Sequence, residues 1–145
     1  MLVVIIDQLS KAMVLDKMVP GQSIEWLSFF NLNLAFNTGA AFSFLGGASG
    51  WQMPFISVVV IVVVAILLVW LSKLNRNEYV LCIAVSLIIG GALGNLIDRL
   101  RLSYVIDFFD FHIGAWHFAT FNVADAAITT GAILLVIKFF FGAKV

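Results

Sequence analysis

The chain has 145 residues and no formal net charge, with eight Lys and Arg against eight Asp and Glu. Hydrophobic residues make up 63% of the chain and charged residues only 11%, and the mean hydropathy is +1.11. A soluble domain carries about 25% charged residues, so the composition excludes an ordinary soluble domain and gives no sign of a nucleic-acid partner. It predicts a single integral membrane domain over residues 1–145.

Four segments are predicted to cross a membrane, where a helix needs about 20 apolar residues. The first, residues 1–18, is short and carries charges. Its Asp7 and Lys11 are four residues apart, however, and can pair on one helical face. The other three predicted spans cover residues 53–71, 79–97 and 124–141.

Positive charges predict the orientation, because Lys and Arg concentrate in short cytoplasmic loops. The link between the second and third spans holds Lys73 and Arg76, and the tail holds Lys144. Residues 19–50 hold neither Lys nor Arg. We therefore expect both termini and the short link in the cytoplasm, and residues 19–50 and 100–122 on the outer side.

Both outer segments show strand character. Apolar residues and asparagines alternate over residues 30–37, which is the period-two pattern of a half-buried strand. The alternation places on one face Phe30, Leu32, Leu34 and Phe36, and on the other Asn31, Asn33 and Asn37. A second strand is predicted over residues 104–113, with a turn near Gly114 and a return strand over residues 116–120. Together these strands predict a small sheet on the outer membrane surface, its apolar face turned to lipid.

Two aspartates are the strongest candidates for chemistry, because an ionisable side chain in the bilayer costs about 3 kcal/mol even on lenient scales. Asp107 lies in an aromatic, almost uncharged stretch, and Asp125 opens a long apolar run. If they meet, one keeps a proton while the other activates water, which hydrolyses a peptide bond without a metal. The alternative is structural: Asp107 is a solvated strand carboxylate, and Asp125 follows the helix cap Asn122.

The glycine-rich stretch 90–99 is a further candidate. Its glycines are spaced as in closely packed helices. That packing does not explain Asn95, Asp98 and Arg99, which line either a water-filled pocket or the headgroup boundary. Arg99 can hold a substrate carbonyl or phosphate, or pair with an aspartate. It is not expected to pair with Asp98, because neighbouring helix positions point apart.

Two further pairs of polar residues allow a structural and a functional interpretation. Asp7 and Lys11 either neutralise each other or brace a polar pocket, and the sequence favours neither. His112 and His117, with Asp110 nearby, suggest a zinc site. The helical His pair of zinc proteases is missing, however, so interfacial polar residues are the favoured interpretation and no metal is predicted.

Taken together, these motifs resemble the bacterial lipoprotein signal peptidase family, signal peptidase II. The matching residues run in order along nearly the whole chain. They are Asp-Gln-x-x-Lys at 7–11, Asn-Thr-Gly-Ala-Ala-Phe-Ser at 37–43, Gly-Gly-Ala-Leu-Gly-Asn-Leu-Ile-Asp-Arg at 90–99, Val-Ile-Asp-Phe at 105–108 and Phe-Asn-Val-Ala-Asp at 121–125. One motif alone would be modest evidence, but five in order on a four-span profile are highly specific.

The resemblance implies an intramembrane aspartic endopeptidase that cleaves prolipoprotein signal peptides just before a diacylglyceryl-modified cysteine. The implied fold class is an all-α membrane protein, with four transmembrane helices, a small extracytoplasmic β-sheet (β-cradle) and a short outer helix. The implied catalytic pair is Asp107 and Asp125. The implied substrate-binding residues are Asn37, Asn95, Arg99 and Asn122, and the residues supporting the site are Asp7, Lys11 and Asp98.

The resemblance also implies a multi-pass protein of the bacterial cytoplasmic (inner) membrane, its active site toward the outer face. The expected partners are prolipoproteins and membrane lipids, with no cofactor, and the protein is expected to be a monomer. Family members usually carry more apolar residues before the Asp7 motif. Two rival functions are a small transporter with an acidic ion site at mid-depth, and a scaffold subunit without catalysis.

Overall fold

The computed structural model describes residues 1–39, 51–75 and 77–142. The helices in this part of the chain are α1 (Leu2–Lys17), α2 (Gln52–Lys73), α3 (Tyr79–Leu102) and α4 (Val123–Phe141). The strands are β1 (Ser23–Leu27), β2 (Phe30–Asn37), β3 (Val105–Ile113) and β4 (Trp116–His117). The predictions that concern Arg76, Lys144 and residues 40–43 fall outside the described residues.

Three helices are long and apolar enough to cross a membrane. They are α2, α3 and α4. This confirms three of the predicted spans. Helix α3 continues past the predicted end at Ile97 and stops where Ser103 takes a left-handed conformation, with φ of 66°.

Helix α1 has 16 residues and is not among these three, so its role as a fourth transmembrane helix stays a prediction. Its pattern of buried and exposed residues is the reverse of that in a helix of a soluble protein. Its buried residues are Asp7 and Lys11, whereas Leu2, Ile5 and Leu9 are exposed. The charged residues of this part of the helix therefore face the protein interior, and its apolar side chains face outward.

Helix α3 lies at the centre of the bundle and contacts the other three helices. Small residues let it approach α4 closely: a Cβ atom on Gly91 would meet the carbonyl group of Ala124, and one on Gly131 would meet that of Ala84. This close approach agrees with the packing role predicted for the glycines of residues 90–99. It brings the first turn of α4 against the polar end of α3.

The strands form one antiparallel sheet in the order β1-β2-β3-β4. Strand β2 has the predicted bounds, and β3 begins one residue later than predicted. Strand β1 was not predicted, because all five of its residues are exposed and it shows no alternation of burial. The return strand is shorter than predicted: only Trp116 and His117 pair as β4, and Phe121 then rejoins β3 through a bridge with Phe109.

A β-bulge divides β2. On one side of the bulge Leu32 pairs with Phe109, and on the other side Ala35 pairs with Asp107. Two residues of β2 therefore oppose Phe108 alone. The apolar face predicted for residues 30–37 is confirmed. Leu32 and Leu34 pack in one cluster, Phe36 pairs with Ile106 of that cluster, and Phe30 contacts Phe109 beside it.

Beyond the bulge, Asn37 shares a face of the sheet with Asp107. Its side-chain amide reaches the Asp107 carboxyl group across the strands. The opposite face packs against the end of α1 in a buried apolar cluster of Met18, Leu34, Ile106 and Phe108. One face of the sheet thus presents polar groups, while the other covers an apolar core.

Candidate active site

Asp107 is buried on β3, with only 2% of its surface exposed. Its Oδ1 accepts a hydrogen bond from Asn122 Nδ2 at 2.7 Å, and its Oδ2 accepts one from Asn37 Nδ2 at 2.9 Å. Burial raises the pKa of Asp107 to about 6, and the charge of Asp125 adds to the rise. The two amide donors and the positive charge of Lys11 act in the opposite direction. Asp107 is therefore not the solvated strand carboxylate of the structural alternative.

Asp125 lies in the first turn of α4, whose N-terminal cap is Asn122. Asn122 Oδ1 accepts from the Asp125 backbone N–H at 2.9 Å, and Asp125 Oδ2 accepts from the Asn122 backbone N–H at 3.2 Å. Asp125 Oδ1 accepts from Asn95 Nδ2 at 2.7 Å. The predicted cap is confirmed, and donors on both oxygens at the positive end of a helix suit a carboxylate anion.

Asn122 joins the two acids. Its side-chain amide donates to Asp107, and its backbone and side-chain oxygen form the capping box with Asp125. The side chain is completely buried. Two aspartates from a strand and from a helix are thus held in one cluster by a single residue.

Asn95 on α3 is oriented by two donors. Its Oδ1 accepts from Lys11 Nζ at 3.0 Å and from Asn122 Nδ2 at 3.1 Å. Its Nδ2 is therefore the end of the amide that faces Asp125. The orientation of this amide group follows from the charge on Lys11.

Lys11 is the centre of a buried ion cluster. Its Nζ lies 2.9 Å from Asp7 and 2.7 Å from Asp98, and all three side chains are at most 3% exposed. Asp7 Oδ1, the oxygen that does not face Lys11, accepts from the Ala124 backbone N–H at 3.0 Å, and Asp98 Oδ2, which does face Lys11, also accepts from the Ile106 backbone N–H at 3.2 Å. The pair of Asp7 and Lys11 therefore meets both interpretations, because it is neutralised and it also braces α4 and β3.

Gln8 and Gly94 also belong to this cluster, although neither was among the predicted site residues. Gln8 Nε2 donates to Asp98 at 2.8 Å and to Asp7 at 3.2 Å. A Cβ atom on Gly94 would lie 2.6 Å from Asp7 Oδ2, so this position has no room for a side chain. Gln8 could have been found as part of the Asp-Gln-x-x-Lys motif, and Gly94 as part of residues 90–99.

Arg99 lies beside the network without joining it. Its charge acts on Asp125, Asp107 and Asp98. Among the residues that the structure describes, however, it forms neither a hydrogen bond nor an ion pair. As predicted, Asp98 points away from Arg99, and it pairs with Lys11 instead. Every other predicted site residue belongs to one continuous hydrogen-bonded network.

The predicted turn after β2 is present and shapes the environment of Asn37. The Asn37 side-chain oxygen accepts from the Gly39 backbone N–H at 2.9 Å, and Gly39 has a φ of 78°. This turn leaves the Asn37 amide group free to donate to Asp107. Asn37 is exposed, unlike the buried Asn95 and Asn122.

The two histidines pair across β3 and β4, at the end of β3 away from Asp107. His117 Nδ1 lies 2.9 and 3.0 Å from the two carboxyl oxygens of Asp110, and the His112 ring stacks on that of His117 at 5.0 Å. In the described part of the chain, no three His, Cys, Asp or Glu side chains are grouped as metal ligands. The histidines are therefore separate from the cluster of Asp107 and Asp125.

Known proteins resemble this chain along nearly its whole length. A family model described as signal peptidase (SPase) II matches residues 1–141. The chain belongs to the signal peptidase II family. It is therefore a protease, and with its three long apolar helices it is a multi-pass membrane protein.

Individual relatives support this assignment. The lipoprotein signal peptidase of Coxiella burnetii (strain Dugway 5J108-111) is 54% identical over 136 residues, which cover 94% of this chain and 83% of that protein. That of Hydrogenovibrio crunogenus (strain DSM 25203 / XCL-2) is 43% identical over 140 residues, covering 97% and 81%. A solved structure described as a bacterial membrane enzyme superposes with a TM-score of 0.87 at 35% identity, covering 97% of this chain and 88% of that one.

Proposed function

We propose that this member of the signal peptidase II family is an intramembrane aspartic endopeptidase with Asp107 and Asp125 as its catalytic pair. Its substrates are diacylglyceryl-modified prolipoproteins, which it cleaves before the lipidated cysteine. The substrate class is that named for its relatives, which are lipoprotein signal peptidases. The observation that carries the proposal is that one buried residue, Asn122, contacts both acids.

The surroundings of the two acids assign them different roles. Asp107 takes the role of the acid, because burial raises its pKa to about 6, well above the usual value of a carboxyl group. Asp125 takes the role of the base, because it lies in the first turn of α4, where the positive end of the helix favours a negative charge. Two carboxyl groups whose environments differ in this way form an acid and a base.

The reaction needs no other reactive group. Asp125 removes a proton from a water molecule as its oxygen attacks the carbonyl carbon of the scissile peptide bond. Asp107 donates its proton toward the carbonyl oxygen, so no full negative charge develops there. When the tetrahedral intermediate collapses, the C–N bond breaks, the leaving nitrogen receives the proton held by Asp125, and Asp107 regains its own.

Substrate contacts fall to Asn37 and Arg99. Asn37 is exposed beside Asp107, and Arg99 carries donors that no other described residue uses. Both suit the carbonyl groups of a peptide that must unwind before it can be cut. Asn95 and Asn122 use their side chains in hydrogen bonds with Asp125, Asp107 and Lys11. They therefore hold the two acids in place and do not contact the substrate themselves.

The placement in the membrane follows from the charges. Helix α1 completes a bundle of four transmembrane helices as its outward-facing apolar residues meet lipid. The link that carries Lys73 faces the cytoplasm, which puts the sheet and the catalytic pair at the outer face of the bacterial inner membrane. The chain acts as one domain, residues 1–145, and as a monomer surrounded by membrane lipids.

A cleavage assay with a lipidated prolipoprotein peptide in detergent tests the proposal. Asp107→Asn and Asp125→Asn each abolish cleavage, because each leaves the pair without its acid or its base, and both variants still fold. Asp16→Asn is the matched control, since Asp16 is an exposed acid at the end of α1. Turnover close to that of the wild type in either active-site variant rejects the catalytic pair.

A further inference from the structure

Strand β3 carries a second buried carboxylate three residues after Asp107. Asp110 is 3% exposed, and both of its oxygens lie within 3.0 Å of His117 Nδ1. Asn31 on β2 donates to it at the longer distance of 3.4 Å. The proposed reaction uses none of these three residues.

The pair of Asp110 and His117 ties the return segment, residues 116–121, to β3. The ladder of this segment with β3 is only two residues long. It is followed by one backbone bond at Phe118 and by three at Phe121, which donates to Phe109 and accepts from Phe108 and Phe109. His117 is the only residue of the segment whose side chain hydrogen-bonds to β3 within the described parts of the chain. The register of a short ladder is weakly specified by its backbone alone.

The return segment ends at the residue that joins the catalytic pair. The Phe121 carbonyl group accepts from the backbone N–H groups of Phe108 at 3.0 Å and Phe109 at 2.8 Å. The next residue, Asn122, donates to Asp107 at 2.7 Å. A slip of the segment along β3 would carry Asn122 away from Asp107.

We infer that Asp110 and His117 are positioning residues of the peptidase: their hydrogen bond sets the register of residues 116–121 and so places Asn122 between Asp107 and Asp125. The inference rests on the proposed function, because the position of Asn122 matters only if those two acids are the catalytic pair. Neither Asp110 nor His117 touches the reacting atoms. Their effect reaches the site through the backbone of six residues.

The pH profile separates a positioning role from a purely structural one. The hydrogen bond from Asn122 lowers the pKa of Asp107 against the effect of burial, so its loss raises that pKa above about 6. The groups around Asp107 are the charged Lys11, Arg99 and Asp125 from three helices and the uncharged donors Asn37 and Asn122. A pair that only stabilised the hairpin would leave the pH midpoint of the surviving activity unchanged.

The chain offers matched variants. His117→Phe keeps a ring that can stack on His112 but removes the hydrogen bond. His117→Asn keeps a donor, because its amide nitrogen occupies the place of Nδ1. His112→Phe is the control, since His112 stacks in the same ladder and neither of its ring nitrogens has a hydrogen-bond partner among the described residues. Asp110→Leu removes the bond from the other side without leaving a buried, unpaired charge.

The measurement is kcat and KM of peptide cleavage as functions of pH. We expect His117→Phe and Asp110→Leu to lower kcat about tenfold or more, to leave KM within about twofold, and to move the base-side midpoint upward. His117→Asn and His112→Phe should resemble the wild type. If His117→Phe does not fold, Asp110→Leu is judged by the same criteria.

Three results overturn the inference. In the first, His117→Phe or Asp110→Leu has the same kcat and pH midpoint as His112→Phe. In the second, His117→Asn is as impaired as His117→Phe, and in the third, the variants change only KM. Failure of the proposed function looks different. In that case the wild-type protein does not cleave the peptide, or Asp107→Asn cleaves it as fast as the wild type does.

Discussion

Lys11 and Asn95 are 84 residues apart in the chain, yet Lys11 Nζ donates a hydrogen bond to Asn95 Oδ1 at 3.0 Å. Asn95 in turn donates to Asp125. A charge on the first helix is thereby linked to the proposed catalytic base through one amide group. The ion cluster around Lys11 therefore helps to orient the proposed catalytic base, in addition to holding the helices together.

Lys11→Met should destabilise the fold and abolish cleavage. Without the ammonium group, Asp7 and Asp98 face each other as buried, unpaired carboxylates, which costs about 3–5 kcal/mol. Thermal unfolding in detergent measures the first effect, and peptide cleavage measures the second. Lys17→Met, at the exposed end of the same helix, is the control and should change neither.

The double variant Lys11→Met/Asp98→Asn separates the two effects of Lys11. Removing one of the two facing charges should restore part of the thermal stability. Activity should stay low, because Asn95 Oδ1 has still lost its ammonium donor. Recovery of full activity together with stability would show that Lys11 acts on folding alone.

Gly94→Ala should reduce both stability and activity, although alanine favours a helix by about 1 kcal/mol over glycine. The added Cβ would lie 2.6 Å from Asp7 Oδ2, so Asp7 has to move away from Lys11 and from the Ala124 amide. Ser86→Ala, at an exposed site of the same helix, controls for helix propensity. A Gly94→Ala protein as stable and active as the wild type would contradict the tight packing around Asp7.

The pH dependence of kcat/KM should report the proton on Asp107. Because the pKa of this acid is raised to about 6, its protonated form is lost as the pH rises through that value, and kcat/KM should fall on the base side with a midpoint near 6. Asn37→Ala removes a donor that lowers this pKa, so the midpoint should move upward. Asn33→Ala, which alters the same strand away from Asp107, should leave it in place. A downward shift in Asn37→Ala would reverse the assignment of acid and base.

Cleavage should be insensitive to chelators, because Asp125 removes the proton from water without a metal ion. The rate of peptide cleavage in EDTA, compared with the untreated enzyme, checks this. Inhibition by EDTA that zinc reverses would contradict the two-carboxylate mechanism. It would also direct attention back to His112 and His117.

Features that depend on local pattern could be read from the sequence. The alternation over Phe30–Asn37 predicted β2 with its observed bounds, and three long apolar runs predicted the helices that can cross a membrane. The capping role of Asn122 followed from its place ahead of Asp125. In each case, neighbours within one turn or one strand determine the outcome.

Only the tertiary structure decided what these elements bring together. The bulge in β2 and the contact between Asn37 and Asp107 both result from pairing with a strand some 70 residues away, and neither can be seen in the local sequence. Strand β1 is fully exposed and Gln8 bonds across helices, so neither shows a periodic signal. Residue type and short-range spacing determine which groups this protein has available for chemistry, whereas long-range packing determines which of them meet.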